Sequence, residues 1–297
     1  MMTTSSTADR APERAGYVLT LSCPDVPGIV YAVAKHFMDA GFNIFASQQF
    51  LDESANRFFM RVHVHDAHAR ALSVDEVRTE FAPVGERFAM TWLLHDAGHR
   101  SRLLLLVSKF GHCLNDLLFR TSIGQLNVDI AAIVSNHTEF EPLAANYGIP
   151  YHHIPVTADT KPQAEDQLRT VIADEGIDLV VLARYMQILS PQLCEDLAGR
   201  AINIHHSMLP SFKGARPYHQ AHDRGVKLVG ATAHYVTPDL DEGPIIEQEV
   251  ARVDHSMSPG QLVDVGHDVE RLALQRAVRW HTENRVLLNG SRTVIFR

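Results

Sequence analysis

From residue 102 onward the chain repeats one pattern: a short apolar run, a stretch with helical spacing, then another apolar run. The runs are Arg102–Ser108, Val128–Val134, Asp178–Ala183 and Ala201–Ile204. A strand with one wet face alternates apolar and polar side chains, whereas an unbroken apolar run marks a strand covered on both faces. The segments His112–Thr121, Phe140–Tyr147, Ala164–Glu175 and Pro191–Leu197 read as helices, and Gly176 and Gly199 stop the last two. Tyr151–Pro155 reads as a short strand, and Leu262–Asn284 as a long amphipathic helix covering the sheet. Such alternation predicts a doubly wound, mostly parallel sheet over residues 102–297. Ligands of these sheets bind at the carboxyl ends of strands, near the point where strand order reverses.

The residues before this region follow another rule. Tyr17–Ser22 alternates, as a half-buried strand does. Ile29–Ala40 has helical spacing, with Gly41 as its stop, and Phe42–Leu51 and Arg57–His65 read as a strand pair. Ser73–Phe81 reads as a helix with Ser73 as N-cap and Glu76 in the capping-box position, and Met90–Leu94 as a last strand. The order β-α-β-β-α-β predicts a ferredoxin-like domain over residues 17–96. Residues 97–101 are a polar, Gly-containing linker, and residues 1–16, rich in Thr, Ser, Ala and charge, read as a disordered tail.

Composition narrows the function. With 27 Lys and Arg against 35 Asp and Glu the net charge is −8, which argues against a nucleic-acid partner. No apolar run approaches the length that spans a bilayer, so no membrane partner is expected. The polar start lacks the apolar stretch of a signal peptide. The three cysteines, Cys23, Cys113 and Cys194, are far apart and odd in number, which suits free thiols and a cytoplasmic location.

Chemistry concentrates where the strand ending at Ile204 meets a loop. Asn203 and His205 are two residues apart, so an extended chain points both side chains to one side. An amide can stabilise a developing oxyanion, and an imidazole can donate a proton to a leaving nitrogen. Strand ends also carry polar residues merely to satisfy backbone groups, and local sequence leaves both readings open. Downstream, Leu240-Asp241-Glu242-Gly243-Pro244 puts a carboxylate on a tight loop that meets the pair if the two loops converge.

Asn203-Ile204-His205, Leu209-Pro210-Ser211-Phe212-Lys213-Gly214 and Asp241-Glu242-Gly243-Pro244-Ile245-Ile246, in this order, resemble the signature of folate-dependent formyltransferases. The fuller wording is similar to one branch, the formyltetrahydrofolate deformylases. It runs through His206-Ser207, Gly214–Ala221 and Gly230–Val236, with Ser108-Lys109 and His112-Cys113-Leu114 upstream. The resemblance covers roughly residues 17–297. It implies an N-terminal ACT domain of ferredoxin-like fold, followed by a Rossmann-like, formyltransferase-type catalytic domain. It also implies hydrolysis of 10-formyltetrahydrofolate to tetrahydrofolate and formate, which would supply formate to purine and one-carbon metabolism. No permanently bound cofactor is implied. Asn203, His205 and Asp241 match the family's catalytic triplet. Asn203 and His205 would then stabilise the oxyanion, His205 would assist departure of N10, and Asp241 would orient water or His205 and relay a proton.

Leu182–Leu189 resembles the family's pterin-binding segment. Its candidates are Arg184, Tyr185, Met186, Gln187, Ile188 and Leu189, with Val236 and Leu240 on the opposite wall. Tyr185–Leu189 also reads as a plain core edge. The family often has Arg where this chain has Gln187, which removes a cation for the folate carboxylates there. Lys213 and Arg216 are candidates for the folate tail or are simply solvated. His219 and His234 read as supports of the site or as satisfied core histidines. His63/His65 and His152/His153 have metal-like spacing, but no acidic or cysteine set accompanies them, so no metal is expected. Asn115-Asp116 stands where amine-formylating relatives have a Gly-rich phosphate loop, and no Gly-x-Gly-x-x-Gly occurs.

Asp25-Val26-Pro27-Gly28-Ile29 resembles the ligand loop of ACT domains, which implies an amino-acid effector at Asp25, Pro27, Gly28 and Ile29 and a homodimer or homotetramer. A dimerisation module without ligand fits the same residues. Two rival functions remain: a formyltransferase with an amine acceptor, and a catalytically inactive amino-acid-sensing protein.

Overall fold

A computed structural model of the chain describes residues 16–70, 72–210 and 217–297. Two compact units emerge, one up to His99 and one from Arg100. The tail, Lys213 and Arg216 lie outside the described residues, except that Gly16 begins the first strand.

The first unit runs β1 (Gly16–Pro24), α1 (Ile29–Asp39), β2 (Phe42–Asp52), β3 (Arg57–Asp66), α2 (Val74–Arg87) and β4 (Thr91–Asp96). Its antiparallel sheet has the order β2-β3-β1-β4. Period-2 alternation puts Leu19, Leu21, Met60, Val62 and Val64 on one face, where Val33 and Phe37 of α1 and Val77 and Phe81 of α2 cover them. The Ser73–Glu76 capping box starts α2. This helix continues past the expected end at Phe81, through Pro83. Pro83 is exposed, so the carbonyl whose partner it removes can turn to water.

The second unit contains β5 (Ser101–Val107), α3 (His112–Ser122), β6 (Val128–Ser135), α4 (Glu141–Asn146), β7 (Tyr151–His153) and α5 (Lys161–Asp174). Then come β8 (Leu179–Leu182), α6 (Pro191–Asp196), β9 (Ala201–His205), α7 (Pro217–Asp223), β10 (Leu228–Tyr235) and β11 (Ile245–Arg252). The chain ends with α8 (Pro259–Thr282), β12 (Val286–Asn289) and β13 (Arg292–Ile295).

The seven-stranded sheet has the order β11-β10-β9-β8-β5-β6-β7. The pairs from β9 to β7 are parallel, and β10 and β11 join antiparallel at one edge. The unbroken apolar runs have the expected cause. Leu103 and Leu105 of β5 face one core with α3 and α8, while Leu104 and Leu106 face the other with α5 and α6, and all four are fully buried. From β5 the chain builds outward to β7, then returns to add β8 on the other side, so strand order reverses between β5 and β8. The carboxyl ends there open a crevice.

Candidate active site

Asn203 and His205 close β9, whose antiparallel neighbour β10 places His234 opposite Asn203 and Thr232 opposite His205. Facing residues on adjacent strands share a side of the sheet. Asn203 Nδ2 therefore lies 3.2 Å from His234 Nε2. His234 Nδ1 donates to the Tyr235 carbonyl at 2.9 Å, so its Nε2 is the nitrogen that faces Asn203. Thr232 steadies the next loop: its hydroxyl donates to the Ser207 carbonyl and accepts from the Leu209 N–H.

Asp241 reaches the same point from the loop after β10. Its Oδ2 lies 3.2 Å from His205 Nδ1, and its Oδ1 lies 3.6 Å from His234 Nε2. Two backbone features make this approach possible. Asp241 has φ 58°, a left-handed conformation that Asp tolerates better than most residues. Gly243 passes so close to β10 that a Cβ there would meet the Tyr235 carbonyl oxygen at 1.7 Å. Burial by itself would raise the Asp241 carboxyl. Hydrogen bonding to His205, then to His234, outweighs burial and holds it well below the usual carboxylate range. An ionised Asp241 accepts the His205 Nδ1 proton and so orients the ring, leaving Nε2 as its reactive nitrogen. His205 is 5% exposed, and its Nε2 has no hydrogen-bond partner.

These groups line a cavity of about 350 Å³. The stretch from Arg184 to Leu189 forms one wall, and Val236 and Leu240 lie on another. Ser108, at the carboxyl end of β5, anchors the first wall: its N–H donates to the Arg184 carbonyl and its hydroxyl accepts from the Met186 N–H. Buried Glu165 of α5 holds the far end by accepting from the Ser190 N–H and hydroxyl. Tyr185 and Leu189 sink into the core, while Met186 and Ile188 are 53% and 60% exposed. The segment is thus both a core edge and an apolar slot of the kind a flat ring needs. Burial pushes the Tyr185 hydroxyl up to about 12, so it stays neutral there.

His234 joins the site through Asn203 and Asp241, whereas His219 is exposed on α7 and is not among the residues lining the cavity. Thr237 and Pro238, within the stretch Val236–Glu242 expected to form the other wall, also line it, and so does His206, which sequence reasoning missed. His206 follows His205 in the motif, which was its only signal. Burial, then the charges of Arg184 and His205, push its imidazole down to about 4.

A second buried cluster also escaped notice. Arg184 has φ 68° and is 8% exposed, and its Nε lies 3.4 Å from Oε2 of Glu270, which is fully buried in α8. Glu270 also accepts from His112 Nε2 and from the Tyr218 hydroxyl, each at 2.8 Å. Burial would raise the Glu270 carboxyl; the His112 hydrogen bond and then the Arg184 charge outweigh it and lower it. His112, Cys113 and Glu270 offer ligand atoms within 4.8 Å of one another. Arg184 already supplies the positive charge beside that carboxylate.

Fold and site together define a formyl transferase: residues 101–278 match the family model described as formyl transferase. A formyltetrahydrofolate deformylase of Corynebacterium sp. (strain P-1) is 51% identical over 96% of this chain and 99% of its own length. The crystal structure of a formyltetrahydrofolate deformylase from Burkholderia mallei has a TM-score of 0.90 and 55% identity, covering 95% of this chain and all of the other. A glycinamide ribonucleotide transformylase from Symbiobacterium toebii covers 68% of this chain and 97% of its own, at TM-score 0.63 and 29% identity. The chain belongs to the formyltetrahydrofolate deformylase family.

Proposed function

We propose that the chain hydrolyses 10-formyltetrahydrofolate to tetrahydrofolate and formate, with Asn203, His205 and Asp241 as its catalytic residues. The convergence of these three side chains on one cavity carries the reading. The pterin lies along Tyr185–Leu189 against Val236 and Leu240, and the formyl group reaches Asn203. Water adds to the formyl carbon, and the Asn203 amide stabilises the oxyanion. Asp241 holds the His205 ring, and His205 Nε2 takes up the proton from water. His205 returns a proton to N10 as the C–N10 bond breaks. One water O–H bond and the C–N10 bond are lost, a C–O bond and an N10–H bond form, and formic acid leaves as formate and a proton. The full-length likeness to deformylases favours water as acceptor, whereas the likeness to the transformylase covers about two thirds of the chain.

The test is formate release by purified protein from 10-formyltetrahydrofolate with no amine present. Turnover is expected; turnover that appears only on adding an amine overturns the hydrolase reading in favour of a transferase.

The first unit suits an amino-acid effector. Asp25, Pro27 and Gly28 are exposed at the start of α1, where Gly28 has φ 96°, no side chain caps the helix, and Ile29 is buried behind them. Such a terminus attracts a carboxylate. Calorimetry with small amino acids should detect binding that Gly28→Val abolishes; no heat with any of them removes the effector. ACT pairing supports a dimer or tetramer, which sedimentation measures. Among the described residues no helix is long and apolar enough to cross a membrane, and the three cysteines are free and buried, in keeping with a reducing cytoplasm.

A further inference from the structure

Arg184 is an unexpected residue for its place. Its backbone is left-handed, a strained conformation that a long side chain rarely adopts. The side chain is more than nine-tenths buried, Arg184 is among the residues lining the reaction cavity with Asn203, His205 and His206, and its charge acts on the His206 imidazole. Glu270 holds it from behind by an ion pair at 3.4 Å. The Glu270 oxygens are largely taken by His112 and Tyr218, so they do not saturate the guanidinium. Arg184 Nε and Nη1 make no hydrogen bond, and neither does His205 Nε2. Buried donors without partners are rare, and each calls for an explanation such as an ion or ligand they are built to meet.

We infer that Arg184, with His205 and His206 at its side, forms a subsite for a small monocarboxylate, the formate that the reaction releases. The inference rests on the proposed hydrolysis. The substrate's formyl group is neutral and the product is an anion, so a buried guanidinium favours the product and the charge developing towards it. The planar fork of Arg matches two carboxylate oxygens, and Glu270 keeps it in place. His206 stays neutral, so it adds a hydrogen-bonding nitrogen to the subsite and no second charge. The glutamate tail of the folate is not the anion meant. Arg184 is buried, whereas Met186, Ile188 and Leu240, on the same cavity, are each more than half exposed and lie where a solvent-facing tail would leave.

The experiment measures tetrahydrofolate formation by the full chain with added sodium formate, against sodium chloride at equal ionic strength. The folate-free protein is also melted in both salts. Wild type should be inhibited and thermally stabilised by formate and not by chloride. Arg184→Gln should weaken both responses by about tenfold or more, the usual effect of losing a charge-assisted bidentate contact. Arg184→Lys should fall between, because it keeps the charge and loses the fork. Formate that acts no differently from chloride on wild type overturns the subsite without any variant. An unchanged formate response in Arg184→Gln, with a raised KM for the folate, overturns it in favour of a grip on the substrate. Absence of formate release would sink the hydrolase reading instead, and the melting arm would still report on the subsite.

Discussion

Asp241 and Glu270 are both carboxylates withdrawn from water in the second unit, and both face histidines, but they are held in different ways. Glu270 is fully buried and meets Arg184, His112 and Tyr218, a set that spends both its oxygens. Asp241 keeps 16% of its side chain exposed and meets His205 and His234 across the cavity. A saturated buried carboxylate fixes its surroundings; one that holds a ring with a free nitrogen can take part in proton transfer. Both clusters still leave a buried nitrogen unbonded, His205 Nε2 in one and Arg184 Nη1 in the other. The Glu270 cluster therefore braces the site that the Asp241 cluster operates.

The largest effect that would break this contrast is on rate. Asp241→Asn keeps the shape and removes the charge that orients His205, so formate release by the folded protein should fall by roughly 10²–10⁴. Near-wild-type turnover would show that Asp241 does no chemistry. Glu270→Ala should do the reverse. Leaving Arg184 buried without its partner should cost about 3–5 kcal/mol in urea unfolding, while turnover of the folded fraction should fall far less than in Asp241→Asn. A variant that is stable but inactive would move Glu270 into the catalytic set. Tyr218→Phe sharpens the point more gently. It removes one hydrogen bond to a charged acceptor, so stability should drop by about 1.5–3 kcal/mol, with formate release retained.

The smallest effect is a slope. The folded-state pKa of His206 is about 4, below the ordinary value near 6.5, so between these the unfolded chain binds a proton that the folded chain refuses. The His206 contribution to stability is therefore intact above about pH 6.5 and is lost as the pH falls towards 4. His206→Asn should flatten that part of the unfolding-midpoint profile. Asp241, whose folded pKa is also depressed, acts lower: its contribution holds above the ordinary aspartate range, near 4, and is lost as the pH falls below it. An unchanged slope between pH 6.5 and 4 in the His206 variant would show that another group titrates there.

Much of this architecture was legible along the chain. The apolar runs of β5, β6, β8 and β9 signalled burial on two faces, and those strands form the parallel part of the sheet. The Ser73–Glu76 capping box located the start of α2. The antiparallel strands β10 and β11 were not read as strands, although 230–236 had been singled out for its wording, because polar residues such as Thr232, His234, Glu247 and Glu249 interrupt the apolar signal. The short α7 and the β12–β13 hairpin carry too few residues for a period to declare itself. Arg184 was read as a folate contact, and nothing local tied it to Glu270, which sits in a helix that reads as merely amphipathic.

The sequence by itself determined the two kinds of sheet, the order of their elements and the motifs around Asn203, His205 and Asp241, because period and cap chemistry are local. Only the tertiary structure decided what those residues face. Burial and hydrogen-bond partnership depend on segments far apart in the chain. The β9–β10 pairing set His234 against Asn203, the close pass at Gly243 brought Asp241 to His205, and the packing of α8 under the β8 loop gave Arg184 its carboxylate.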